Sequence, residues 1–328
     1  MRAVFPLLTT VLLVAGCQPT SGPAIVHDPP QPRSGYAMAY DAAHDRVVLF
    51  GGSDSTYQRL GDTWVWADEA WMPLETAASP PARSDAQLTY DAARSQLVLF
   101  GGLSADRELL ADTWLLDDTT WVQVESSAPP ARQMAAMTYD ADRARVVLFG
   151  GQGDDRALLG DTWEWDGAQW TQQGAEGAPP PRASHGLAYD AARRQTVLVA
   201  GYDDDLMDDT WMWDGEQWRQ AEDTGLPPRL HAALAYDEVG ERLLLFGGFG
   251  AEGREATLLA WDGTRWTAIG GDHPTARAEH EGVYVPGEGF LIFGGVIDQG
   301  MDYDERVKTN DLWRYDGAQW HGVGPFAP

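Results

Sequence analysis

The stretch Asp161-Thr-Trp-Glu-Trp-Asp-Gly-Ala-Gln-Trp170 recurs in variant form about every 50 residues, and all fifteen tryptophans of the 328-residue chain lie in its copies. Asp166-Gly167 is a strong two-residue hairpin signal, because a type I′ turn needs positive φ at both central positions and Asp-Gly tolerates it. Pairing outward from that turn sets Trp163 opposite Trp170, and likewise Trp64 opposite Trp71, Trp114 opposite Trp121, Trp211 opposite Trp218, Leu259 opposite Trp266 and Trp313 opposite Trp320. A hairpin with this much aromatic surface on one face is unstable alone and must bury it, most simply against its neighbouring copy. The repeat is therefore the expected folding unit.

Each unit opens with a proline-rich connector that ends in arginine, at Arg33, Arg83, Arg132, Arg182, Arg229 and Arg277. A short strand follows and ends at Tyr40, Tyr90, Tyr139, Tyr189, Tyr236 and Tyr284. After a polar turn comes an unbroken apolar run such as Val47-Val-Leu-Phe50, too short for a helix and suited to a strand buried on both faces. Double glycine closes that run in every unit except the fourth, which has Ala200-Gly201. A variable acidic loop then leads into the tryptophan hairpin, giving four antiparallel strands per unit and no helical pattern.

Arginine at the head, an apolar strand ending in Gly-Gly, an aromatic third strand and tryptophan on the fourth resemble the Kelch repeat. The resemblance implies an all-β fold, a six-bladed Kelch β-propeller with four antiparallel strands per blade. Blades are expected at about 32–78, 79–127, 128–177, 178–225, 226–272 and 273–323, with 324–328 as a tail. Radial repetition covers each blade's faces with its neighbours, and ring closure leaves only short edges. Each unit holds its own four strands, although Ala24–His27 remains a candidate for pairing at the seam.

Met1-Arg2, the apolar Val4–Val14 and Val14-Ala15-Gly16-Cys17 resemble a bacterial lipoprotein signal, with Cys17 as the lipid attachment site. That implies a signal peptide at 1–16, a Pro/Gly-rich tether at 17–31, export, and anchorage to a membrane on its periplasmic side or at the cell surface. Cys17 is the only cysteine, so neither an intrachain disulfide nor a thiolate metal cluster can form. Twenty-three Lys and Arg against fifty Asp and Glu give a net charge of −27, which excludes general nucleic-acid binding.

The connector before strand one and the loop between strands two and three fall at the same end of an antiparallel blade. The six arginines and the acidic loops thus share one rim, which in Kelch proteins commonly recognises partners. Candidate ligand-binding residues there are Arg33, Arg83, Arg132, Arg182, Arg229, Arg277, His185, His280 and Tyr303. A competing role for the arginines is a buried clamp on Asp62, Asp112, Asp161, Asp209 and Asp311. Unit five has Thr257 at that position, so Arg229 or Arg277 lacks its partner and is a candidate for an anionic ligand. His185 and His280 read as hydrogen-bonded strand residues rather than metal ligands, and no cofactor or metal is expected.

The function expected is a monomeric, membrane-tethered scaffold recognising a protein or glycan. The enzyme alternative is a sugar epimerase or mutarotase, resembling the periplasmic N-acetylneuraminate epimerase, with Glu279, Glu281 or His280 moving the proton. Galactose oxidase chemistry fails because the one cysteine sits in the export signal.

Overall fold

The computed structural model describes residues 28–174, 177–298 and 306–323. The lipoprotein signal, Cys17, Ala24–His27, the start of the tether, Met301, Tyr303 and the tail lie outside the described residues. Six antiparallel sheets follow one another along the chain, each built from its own unit, five of them four-stranded and the sixth carrying the short strand Arg277–Ala278 in addition to its four. In the third they are Ala136–Asp140, Arg145–Gln152, Leu158–Trp165 and Trp170–Gln173. First strands touch the first strands of both neighbours, and Ala37–Asp41 of blade one touches Glu281–Val285 of blade six, so the ring is closed. Among the described residues no helix is long and apolar enough to cross a membrane.

The second strands are the buried layer, and Val47, Val48, Leu49 and Phe50 are all inaccessible or nearly so. Gly-Gly ends this strand for a steric reason. Gly52 donates its N–H to the carbonyl of Arg83 in the next blade at 2.9 Å, and a Cβ on Gly51 would stand 2.7 Å from that same oxygen.

The hairpin register corrects the expectation by two residues. The observed pairs are Trp66 with Trp71, Leu116 with Trp121, Trp165 with Trp170, Trp213 with Trp218, Trp261 with Trp266 and Tyr315 with Trp320. Asp166 does not enter a two-residue turn. Its carboxylate accepts the N–H groups of Ala168 at 2.8 Å and Gln169 at 2.9 Å, and of the loop residues only Gly167 has positive φ. The loop is thus the four residues Asp166 to Gln169, an Asx-type turn. The tight two-residue turn forms in blade one, where Asp68 and Glu69 have φ of 50° and 58°. Gly167 is also needed by its neighbour, because a Cβ there would meet Arg94 of blade two at 1.7 Å.

Fourth-strand tryptophans wedge against the preceding blade. Trp121 packs on Phe50, Trp170 on Phe100, Trp218 on Phe149 and Trp320 on Phe246, with ring centroids 4.8–5.5 Å apart. Trp71 makes the same contact with Phe293 at 5.0 Å, across the seam between blades one and six. The indole N–H groups of Trp121, Trp170, Trp218 and Trp266 donate to Thr63, Thr113, Thr162 and Thr210 of the preceding blade, at 2.9–3.1 Å. In units five and six that threonine is Leu258 and Leu312. The facing Nε1 atoms of Trp320 and Trp71 accordingly have no partner.

The seam uses other bonds. Tyr36, buried, donates its hydroxyl proton to the carbonyl of Phe293 and accepts the N–H of Glu281 at 3.0 Å. Ser34 donates to Glu279 at 2.9 Å, and the Asn310 amide donates to Pro30 at 3.1 Å.

Trp121→Phe and Trp71→Phe remove the same atoms, yet only the first strands a threonine hydroxyl. Urea denaturation should show Trp121→Phe costing about 1 kcal/mol more than Trp71→Phe. Equal losses would show that the Trp–Thr bond contributes nothing net.

Candidate functional site

At the head of each blade the arginine is folded under the rim. Arg33 forms a two-toothed pair with Asp62, both contacts 2.8 Å, and also donates to the carbonyls of Gly51 at 2.9 Å and Gln31 at 3.2 Å. Trp64 completes the clamp, its indole N–H donating to Asp62 at 2.7 Å. The arrangement repeats in Arg83–Asp112, Arg132–Asp161, Arg182–Asp209 and Arg277–Asp311. Burial pushes the carboxyls of Asp62, Asp112, Asp161 and Asp311 up, but the arginine and indole hydrogen bonds outweigh it and hold all four below the ordinary range.

Unit five departs, with Thr257-Leu258-Leu259 where the others read Asp, then Thr or Leu, then Trp. Arg229 keeps its bonds to the carbonyls of Gly247 at 2.9 Å and Pro227 at 3.2 Å, and its Nη2 makes none among the described residues. Burial lowers its pKa, opposed only by the charge of Glu255.

Two residues beyond each arginine the chain turns left-handed. Gly35, Asp85, Met134, Ser184, His231 and Glu279 have φ between +54° and +61°. Each N–H donates to the carbonyl of its counterpart in the preceding blade at 2.7–3.3 Å, and Gly35 donates to Glu279, which closes a circle of six hydrogen bonds around the axis. From this circle a cavity of about 420 Å³ runs between the first strands to the six strand-ending tyrosines.

Carboxylic acids crowd the rim end of the cavity. Asp85, beside Ser84 at 2.7 Å, is pushed up by burial. Glu281, one step inside the circle, is pushed up to about 8 by burial and then by the charge of Asp85. On the loops above, Tyr57, Tyr202 and Phe249 stand 67%, 38% and 37% exposed. Lys308 lies under Tyr57, its Nζ 4.7 Å from the ring centroid, and donates to the Ser53 carbonyl at 2.9 Å and hydroxyl at 2.7 Å. Tyr57, Arg306, Lys308 and Glu279 border a smaller pocket of about 190 Å³ at the seam.

A family model described as the KLHDC2/KLHL20/DRC7 Kelch-repeats domain matches residues 65–228, half of the chain. The chain belongs to the Kelch-repeat family. No curated protein matches it.

In this Kelch propeller the six candidate arginines are structural. Arg33, Arg83, Arg132, Arg182, Arg229 and Arg277 are 0–1% exposed, so they brace the rim and do not present charge on it. His185 and His280 also differ from expectation. Neither ring makes a well-aligned hydrogen bond, each having only a weak approach to the backbone of Phe149 or Phe246, and the rings stand edge-on to those phenylalanines at 5.5 Å and 5.7 Å. Burial, with the charges of Arg182 and Arg277, lowers both to about 3, so they are neutral packing groups. Among the described residues no cluster of three or more His, Cys, Asp or Glu could hold a metal.

Sequence reasoning passed over Asp85 and the exposed Tyr57, Tyr202 and Phe249. The aromatics lay in loops already marked as variable, and an aromatic residue in an acidic loop was the available signal. Asp85 carried none, because its counterparts share a backbone conformation and no side-chain type.

Removing the arginine of a complete clamp should leave a buried carboxylate unpaired. Arg132→Met should cost about 3–5 kcal/mol, and Arg229→Met less than half as much, by urea denaturation. The clamp carboxylates sit low, so the stability they lend is full above the ordinary aspartate range and is lost as pH falls through their lowered values. The acid-induced drop in unfolding midpoint should therefore be shallower in Arg132→Met than in the parent chain.

Proposed function

We propose that this Kelch propeller is a recognition scaffold, anchored to a membrane through Cys17, that binds a protein or glycan with the loops of its arginine rim. The observation that carries the reading is the exposure of Tyr57, Tyr202 and Phe249 on three loops at one end of the ring. Exposed aromatics of this kind act as interface anchors, and loops held by a rigid frame can differ without cost to the fold. The clamps beneath supply that frame. The lipoprotein-like signal supports the tether, and anchorage on the membrane's far side from the cytoplasm would leave the rim free to meet extracytoplasmic partners.

One observation favours the epimerase alternative. A carboxyl held near neutrality in a cavity is poised for proton transfer, and Glu281 is in that state.

A panel of glycans and purified envelope proteins should yield saturable binding that weakens at least about tenfold when Tyr57, Tyr202 and Phe249 are all changed to alanine, with the unfolding midpoint unmoved. Binding indifferent to the triple change would refute the rim as the site. Proton NMR of small sugars in the same samples should show no epimeric exchange; exchange abolished by Glu281→Gln would make the alternative the correct one. Cys17→Ser should move the chain from the membrane to the soluble fraction.

A further inference from the structure

The axial cavity is chemically one-sided. Among its described lining residues are the acids Asp85, Glu238, Glu279 and Glu281, and neither a lysine nor an arginine. That is unusual for this molecule, where buried carboxylates are regularly paired. Beyond the rim clamps, Asp41, Asp91, Asp140, Asp190 and Asp237 each hold an arginine at 2.8–3.0 Å. The carboxyl of Glu281 has no hydrogen bond among the described residues, and its charged form meets Asp85 and no cation in the cavity wall.

Asp85 and Glu281 are half-buried; a carboxylate so placed without a counter-charge is disfavoured, and a cation brought beside it removes that cost. At the other end stand Tyr40, Tyr90, Tyr139, Tyr189, Tyr236 and Tyr284. Aromatic rings attract desolvated ammonium groups, and quaternary ammonium ligands most characteristically. The cavity's 420 Å³ lies within the roughly 300–1,000 Å³ of small-molecule sites. A metal ion is the poorer fit, since the described residues offer no cluster of three ligating groups.

We propose that the axial cavity binds an organic ammonium ion, with Asp85 and Glu281 as its counter-charges at the rim end and the ring of tyrosines as the aromatic mouth at the opposite end. This goes beyond the recognition reading, because the loops and the cavity are separate surfaces and each can fail alone. Glu281 is faced by the charge of Asp85 from blade two, and its N–H by Tyr36 from blade one; Asp85 in turn is faced by His231 from blade five, Glu279 from blade six, and Arg59 and Lys308 from the rim outside. A bound cation favours ionised Glu281. Binding therefore expels a proton at neutral pH, and affinity rises with pH until Glu281 of the free protein is ionised, near 8, and then levels off.

The test is calorimetry on the full chain with choline, whose charge does not titrate. Saturable binding about tenfold tighter at about pH 9 than at about pH 6 is expected, with proton release at neutral pH. The uncharged carbon isostere of choline should not bind. Glu281→Gln should abolish the rise with pH, whereas His231→Gln should retain it. Absence of saturable choline binding, equal binding of the isostere, or a pH dependence that disappears with His231 and survives in Glu281→Gln would each overturn the proposal. The isostere comparison needs no variant, so it decides even where a substitution unfolds the ring.

Discussion

The ring depends on a tryptophan from each fourth strand lying on the second strand of the blade before it. No blade can bury its own aromatic face, because a four-stranded sheet has one surface turned to each neighbour and nothing of its own to cover either. Trp121 on Phe50 and Trp170 on Phe100 are copies of one contact, and Trp71 on Phe293 is that contact made between the two ends of the chain. Closure needs no exchanged strand among the described residues because the first blade supplies the last blade's missing cover. Once six such contacts point the same way around an axis, the first strands must converge, and the cavity between them is a consequence of that convergence.

Convergence also explains the circle of left-handed residues. Where six connectors meet at the axis, each has a free N–H and a free carbonyl, and burying them unpaired would be unfavourable. A backbone turned to positive φ aims one group at the next blade and the other at the preceding one. Five of the six residues are not glycine, so each carries a conformational strain of about 1 kcal/mol. Their side chains are not needed for the circle, which frees them to vary as Asp85, Met134, Ser184, His231 and Glu279. The most constrained backbone in the molecule is thus also the place where side-chain chemistry is least constrained by the fold.

What could be read from the residues follows from the same division. Blade count, strand order and the Arg–Asp pairing recur with the repeat, and repetition turns a weak local signal into a strong one. Thr257 was legible as the broken clamp for that reason: five copies defined what the sixth lacked. The hairpin register was misread because Asp-Gly has two uses. Asp166 can enter a tight turn or cap a wider one with its carboxylate, and the choice is made by Arg94 of the neighbouring blade and the packing of Trp170, neither of which is local in sequence. Of the cavity acids, Glu279 and Glu281 were legible as candidate channel carboxylates, but Asp85 was not, because it comes from a different blade and shares an environment with Glu281 only when the ring closes.

The irregularities fall together, and that is informative about the seam. Unit five has lost the aspartate, threonine and tryptophan of the clamp, and unit six has leucine in place of the threonine. Both changes strip hydrogen bonds from the last interfaces to form as the chain is laid down, while Tyr36, Ser34 and Asn310 supply different ones at the closing contact. Those substitutes bond to backbone carbonyls, a backbone N–H and Glu279, so the join is specified by the shape of both edges and not by the repeat motif. Regular interfaces could pair any two blades alike. An irregular pair of edges fits only once, which favours closure at six blades over insertion of another copy of the repeat.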